Sequence, residues 1–196
     1  MKIYTLAMEE IEKRVNSIND DYKDIFKEEL INHVISRIKT SDSIIKKMKR
    51  KKYELTYKNL IEYINDVAGV RVVCPYKANV FEVVEIIKEF EDCRIIREKD
   101  YITHPKETGY SSYHIIIEVP VELNGIKLYT PVEIQIRTMA MDFWATLEHE
   151  IKYKSNGKIS DKVSKELVAY SKIINKIDNR LMKLHNKKYK GNIRLS

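Results

Sequence analysis

Between Asp66 and Pro75 the chain reads Val67-Ala-Gly-Val-Arg-Val-Val-Cys74, an apolar, largely β-branched run that a single charge, Arg71, interrupts. A run of this kind suits a strand buried on both faces, so the chain is expected to fold around a sheet with this strand inside it. Arg71 is the anomaly. A guanidinium placed there needs a carboxylate or an anionic ligand, because an unpaired buried charge is very costly. A structural ion pair and a ligand contact both satisfy that need. Asp66 heads the same strand, where a carboxylate either turns the chain or holds a divalent ion. Strict alternation would put Asp66 and Arg71 on opposite faces. They share a site only if Asp66 lies just outside the strand or Gly69 kinks it.

The remaining elements follow from periodicity. Ile25, Phe26, Leu30, Ile31, Val34 and Ile38 recur at helical spacing, which predicts helix from about 5 to 40. Thr40, Ser41 and Asp42 offer caps for a second helix through Ile44, Ile45 and Met48, ending in the basic run 46–52. That run is either a solvated face or a phosphate contact. A helix through Val80, Val83, Val84 and Ile87 and a strand near Cys93–Arg97 come next. Strands near Ser112–Val119 and Lys127–Arg137 flank Asn124-Gly125, a pair that favours a hairpin turn. A helix from Thr138 to Tyr153 aligns Trp144, Leu147 and Ile151, and a last helix capped by Ser160 runs toward Asn186, ahead of a basic tail expected to fray. The order of elements predicts one α/β (α+β) domain over 1–196, with a central mixed sheet, a crossover helix and flanking helices.

Two segments carry chemistry. Arg97 to His114 is rich in cations and tyrosines and nearly free of aliphatic residues, so it cannot bury itself and suits a polyanion with a flat face, such as a nucleotide. In Val132-Glu-Ile-Gln-Ile-Arg137 the aliphatic residues alternate with Glu133, Gln135 and Arg137, which places a carboxylate, an amide and a guanidinium on one side of a strand. His114 shares its parity with Ile116 and Glu118. Neither it, His104 nor His149 has a partner at ligand spacing, so a zinc site is not expected. There is no glycine-rich phosphate loop and no nucleophile elbow. Any phosphate must therefore be held by side-chain cations.

The formal charge of +7 favours an anionic partner. Cys74 and Cys93 sit in apolar runs without metal or redox spacing and read as reduced core residues. No run approaches a signal peptide or a membrane span, so a cytoplasmic protein is expected.

Four segments together resemble the synthetase domain of the RelA/SpoT family, most closely its stand-alone small alarmone synthetases of the RelQ and RelP group. They are Ser36-Arg-Ile-Lys39 with Ser43 and Lys47-Met48; Asp66 to Arg71; Arg97-x-Lys-Asp-Tyr-Ile102 through Pro105-Lys106 and Gly109-Tyr110 to His114; and Val132 to Thr138 continuing into Ala140-Met-Asp-Phe-Trp-Ala145 and Leu147-Glu-His149. The resemblance spans about 30–155 and implies a nucleotidyltransferase-like fold, with terminal segments 1–29 and 156–196 forming helices for a homotetramer. It implies Mg²⁺-dependent transfer of the β,γ-pyrophosphate of ATP to the 3′-hydroxyl of GDP or GTP, giving AMP and ppGpp or pppGpp. Glu133 would be the general base and touch the metal, and Asp66 the principal Mg²⁺ ligand. Arg37 and Arg71 would sandwich adenine, while Lys39, Ser43, Lys47, Arg97 and Lys99 hold the ATP phosphates. Tyr110 would stack on guanine, with Lys106 at the acceptor's 5′-phosphates. His114 and Gln135 would complete that pocket, and Asp142 would read the guanine edge. Thr108 stands where long members often carry Asn. The hydrolase half of those long members has no counterpart here, so the resemblance implies synthesis without degradation. Single-stranded RNA or an alarmone are the regulators it suggests, the latter near Asn32–Ile35. The alternative is a basic single-stranded RNA-binding module without catalysis, using the run 46–52, the tail and exposed tyrosines.

Overall fold

The structure, a computed structural model, describes residues 1–155 and 159–192, with 187–192 given by backbone alone. Its elements run α1 (Lys2–Phe26), β1 (His33–Ile38), α2 (Ser41–Arg50), α3 (Tyr57–Tyr63), β2 (Ala68–Cys74), α4 (Lys77–Lys88), β3 (Arg94–Asp100), β4 (Tyr113–Leu123), β5 (Ile126–Thr138), α5 (Met139–Lys154) and α6 (Asp161–Asn192). The strands form one mixed sheet in the order β1-β2-β5-β4-β3. Only the central pair, β2 and β5, is parallel, as a helical crossover requires.

One face of this sheet is sealed and the other is open. Ala68, Val70 and Val72 of β2, Ile115, Ile117 and Val119 of β4, and Val132, Ile134 and Ile136 of β5 point inward. There they meet Ala7, Ile11 and Val15 of α1 and Val80, Val83 and Ile87 of α4 in a single core. The expectation that β2 is buried on both faces is corrected by this layering. Its second face is uncovered at Gly69 and Arg71, which stay partly exposed, whereas Val73 on that face is fully buried. The Asn124-Gly125 turn forms as expected, with φ of 54° and 78° at the two positions.

The expected helix from 5 to 40 is the main correction. It ends at Phe26, where Lys27 turns left-handed with φ 57°, and His33–Ile38 forms an edge strand antiparallel to β2. Val34 and Ile38 are four apart, a spacing that suits a helix and also one face of a strand. Hydrogen bonding to the exposed edge of β2 decides between them. The short helix α3, capped by the Thr56 hydroxyl accepting from Asn59 N, had no periodic signal to announce it. Thr40 caps α2 and Ser160 accepts from Val163 N at the start of α6, both as expected. Cys74 is buried, but Cys93 is only half-buried, and both are free thiols. Trp144 is buried, whereas Leu147 and Ile151 lie on the same helix with more than a third of their surface exposed. Side chains of the basic tail from residue 187 on lie outside the described residues.

The last helix docks on α5 through Trp144, Ala145 and Leu167, with Trp144 Nε1 donating to Leu167 O at 3.1 Å. A second anchor is polar. Thr138 Oγ1 donates to the buried Asp178 at 2.9 Å. Burial raises the Asp178 pKa despite that hydrogen bond and the nearby Lys77 charge. A carboxyl raised in the folded state adds stability below its unfolded value and loses it as pH rises through the folded value. Asp178→Asn should therefore gain stability relative to the unsubstituted chain as pH climbs from about 4, levelling off once Asp178 is ionised. Denaturant unfolding of both proteins across pH checks this; a pH-independent difference would contradict it.

Candidate active site

The open face of the sheet is organised in two rows that cross all five strands. Register places Arg37, Gly69, Glu133, Ile116 and Arg97 side by side, and next to them Ile35, Arg71, Gln135, His114 and Lys99. A bulge in β3 makes this possible. The register shifts between Ile95 and Arg97, so Ile95 lies opposite inward-facing Ile117 while Arg97 lies opposite outward-facing Ile116. Without that extra residue the cations of β3 would point into the core layer.

Asp66 lies in the turn before β2, outside the strand, which resolves its parity conflict with Arg71. Two hollows open on this face. The smaller, about 30 Å³, is lined by Arg37, Arg71, Gly69, Gln135, Asp66 and Glu133, among others. The larger, about 260 Å³, is lined by Lys47, Arg97, Lys99, Lys106, His114 and Tyr101, and again by Asp66 and Glu133. The two carboxylates are the seam between the hollows.

Each carboxylate is held by donors. Lys39 pairs with Asp66, and Lys47 Nζ lies 2.7 Å from its other oxygen. Burial works to raise the Asp66 pKa, but the two lysines outweigh it and the carboxyl sits below its ordinary value. Glu133 Oε2 accepts from Gln135 Nε2 at 2.9 Å, and Oε1 lies 3.4 Å from His114 Nδ1. Burial again raises and these partners lower, with a net depression, while the Asp66 charge pushes the other way. Both groups are therefore ionised at neutral pH. Mg²⁺ is characteristically bound by one or two carboxylates together with substrate phosphates. Two ionised carboxylates that repel each other across shared hollows, ringed by cations, fit that donor set. Among the described residues no cluster of three or more His, Cys, Asp or Glu forms a cage for a metal on protein ligands alone.

The loop residues cluster at the far side. Lys106 Nζ sits 4.6 Å from the Tyr101 ring centre and 4.8 Å from that of Tyr110. Tyr110 Oη is 2.8 Å from His114 Nε2, and burial raises the phenol's pKa. Asp142 Oδ1 is shared by Arg71 Nη1 at 3.2 Å and Arg137 Nη1 at 3.3 Å. The lone arginine of the apolar strand thus has a carboxylate partner from α5, and its Nε remains unpartnered.

Of the expected residues, Lys39 and Ser43 line neither hollow; Lys39 pairs with Asp66 instead, and Ser43 sits in the first turn of α2, its hydroxyl accepting from Thr40 Oγ1. Asp142 lines neither hollow but touches Arg71, and Tyr110 lies behind His114. Tyr101 is an addition, edge-on to His114 at 5.4 Å. It stands within the Arg97–Ile102 segment, so its ring was visible in the sequence without a role attached. Asn65 and Tyr63 also line the larger hollow, and only the turn's geometry reveals them.

Residues 36–158 match the family described as a region found in RelA/SpoT proteins. The chain belongs to the RelA/SpoT family. A curated relative, the GTP pyrophosphokinase YwaC of Bacillus subtilis, is 41% identical over 92% of this chain and 86% of its own length. The small alarmone synthetase 1 of Bacillus subtilis, bound to its product pppGpp, superposes with a TM-score of 0.87 at 33% identity, covering 94% of this chain and 93% of its own. The same protein bound to AMPCPP gives a TM-score of 0.80 at 30% identity over 95% and 94%.

Gly109 in the loop has φ +87°, and a Cβ there would lie 2.2 Å from Ser171 Oγ of α6. Gly109→Ala should cost about 1–3 kcal/mol from backbone strain alone, with the clash added. Chemical denaturation of the Gly109→Ala and Gly109→Ala/Ser171→Gly proteins checks this, because the second change relieves the clash but not the strain.

Proposed function

We propose that this chain is a GTP diphosphokinase that transfers the β,γ-pyrophosphate of ATP to the 3′-hydroxyl of GDP or GTP, yielding AMP and ppGpp or pppGpp. The observation that carries this reading is the seam: Asp66 and Glu133 line both hollows at once. One hollow offers two planar guanidiniums, Arg37 and Arg71, and the other a set of cations beside two tyrosines. Two purine nucleotides with their phosphates meeting at the carboxylates account for that division. Family membership and the nucleotide ligands of its structural neighbour support it.

In this reading Arg37 and Arg71 stack on adenine, for which a planar, delocalised cation is suited and an ammonium is not. Lys39, Lys47, Arg97 and Lys99 take the ATP phosphates, with Ser43 at the entrance of α2. Lys39 and Lys47 then exchange Asp66 for phosphate oxygens. Asp66 and Glu133 would hold Mg²⁺, which when bound offsets phosphate charge and polarises the β-phosphorus. Tyr110 stacks on guanine, Lys106 meets the acceptor's 5′-phosphates, and His114, Gln135 and Asp142 complete that side. Glu133 accepts the ribose 3′-hydroxyl proton as oxygen attacks the β-phosphorus, and AMP leaves on the opposite side. Fixed cations supply the electrostatic stabilisation that phosphoryl-type transfer chiefly requires.

Residues 30–155 would form the catalytic unit and the terminal helices an assembly surface for a homotetramer. Tyr170, Ile173, Ile177, Leu181 and Leu184 support this, since they leave an apolar stripe along α6 at least half exposed or nearly so. Among the described residues no helix is long and apolar enough to cross a membrane. A cytoplasmic location is part of the proposal, as is control by an alarmone or single-stranded RNA.

Purified protein incubated with labelled ATP, GDP or GTP and Mg²⁺ should yield AMP and a 3′-pyrophosphorylated guanosine nucleotide. Glu133→Gln should reduce turnover by about 10²–10⁴-fold, the usual worth of general-base help, while nucleotide binding persists. Full activity in that variant would remove Glu133 from the chemistry. Tyr110→Ala should raise the KM for the guanine nucleotide and leave that for ATP nearly unchanged; the opposite pattern in steady-state kinetics would invert the two pockets.

A further inference from the structure

Arg137 holds no role in the reading above, yet it is the buried cation of the site, with 3% of its surface exposed. Its guanidinium donates through Nη2 to Tyr110 Oη at 3.0 Å and to Gln135 Oε1 at 2.5 Å, and through Nη1 to Asp142 Oδ1 at 3.3 Å. From the first two acceptors, two arms lead to the same carboxylate. Gln135 continues from its Nε2 to Glu133 Oε2 at 2.9 Å. Tyr110 continues to His114 Nε2 at 2.8 Å, and His114 Nδ1 faces Glu133 Oε1 at 3.4 Å. The arms close a ring that starts at an arginine and ends on both oxygens of a glutamate.

The chemistry of the two ends fixes the direction of every hydrogen between them. A guanidinium can only donate and a carboxylate can only accept. The Gln135 amide must turn its oxygen to Arg137 and its NH₂ to Glu133. Tyr110 Oη, having accepted from Arg137, has its own hydrogen free for His114 Nε2. In the neutral imidazole Nε2 is then the bare nitrogen, and Nδ1 carries the hydrogen toward Glu133. The opposite tautomer would set a lone pair on Nδ1 against the carboxylate.

We propose that Arg137 is a positioning residue for pyrophosphate transfer: the two hydrogens of its Nη2 set the direction of both arms, holding His114 as the Nδ1–H tautomer, aiming the Glu133 carboxylate and fixing the Tyr110 ring. This rests on the functional reading above and deepens it. Arg137 reaches no hollow itself, and it acts through Gln135, Tyr110 and His114. A lysine at 137 keeps the charge but lacks the planar fork whose Nη1 holds Asp142 while Nη2 serves Tyr110 and Gln135 together.

The test is a long-range ¹H–¹⁵N correlation spectrum of the histidine rings in the nucleotide-free protein at neutral pH, with His114→Ala identifying the His114 signals by their loss. The unsubstituted chain should show His114 as Nδ1–H. Arg137→Met and Arg137→Lys should both populate the Nε2–H form. Turnover in each should fall about 10²-fold, the scale of a misplaced catalytic group, with kcat reduced by a larger factor than KM for GDP is raised. Tyr110→Phe, which removes one arm and leaves the arginine in place, should move the tautomer in the same sense and serves if the Arg137 variants do not fold. An Nε2–H imidazole in the unsubstituted chain, or Nδ1–H unchanged in the Arg137 and Tyr110 variants, overturns this role alone. Absence of any turnover of ATP with GDP by the unsubstituted chain overturns the functional reading together with it; the tautomer measurement needs no nucleotide, so the two failures are distinct.

Discussion

The parallel pairing of β2 with β5 is the constraint from which the site follows. It sets Gly69 beside Glu133 and Arg71 beside Gln135, and it brings the turn carrying Asp66 to the same end of the sheet. Two carboxylates far apart in sequence thereby border the same two hollows. Parallel neighbours cannot be joined by a tight turn, so the chain between them must travel, and its route supplies α4, β3 and β4. The main hydrophobic core lies on one face of the sheet. The other face is left for charge, at the cost of crowding Arg37, Arg71, Arg97, Arg137 and several lysines around two acids.

Neighbouring donors explain the depressed carboxyl pKa values, lysines at Asp66 and an imidazole and amide at Glu133. Burial favours the neutral acid at both Asp66 and Glu133, and each is nevertheless ionised because donors converge on it. The lysines on Asp66 and the amide and imidazole on Glu133 are the groups that, in the proposed reaction, turn toward phosphate or a ribose. Both carboxylates are thus held by protein donors, while the buried Nε atoms of Arg71 and Arg137 have no hydrogen-bond partner.

Most of the architecture was readable because local pattern and tertiary context agree. The β-branched run at 67–74, the alternation at 132–137 and the Asn-Gly turn each formed as their residue types demand. The edge strand at 33–38 was not readable, since its apolar spacing serves a helix equally well and only pairing with β2 decides. At the site, the motif residues identified the rows, and parity correctly joined Glu133 with Gln135. The placement of Arg97 and Lys99 was hidden by the bulge, which no single residue in Arg94–Asp100 advertises. Tyr101 and Arg137 were visible as residue types, but their parts depend on distances that sequence does not carry. Ser43 illustrates the converse, a motif residue whose hydroxyl accepts from the Thr40 cap of α2 and lines neither hollow.

The contact between Gly109 and Ser171 ties the loop bearing Lys106 and Tyr110 to α6. The family match closes at 158, and α6 begins at Asp161. A truncated protein cut at the conventional boundary would keep every signature residue yet lose the buttress behind the loop carrying Lys106 and Tyr110. Domain borders drawn from shared sequence and borders drawn from mechanical support do not coincide in this molecule.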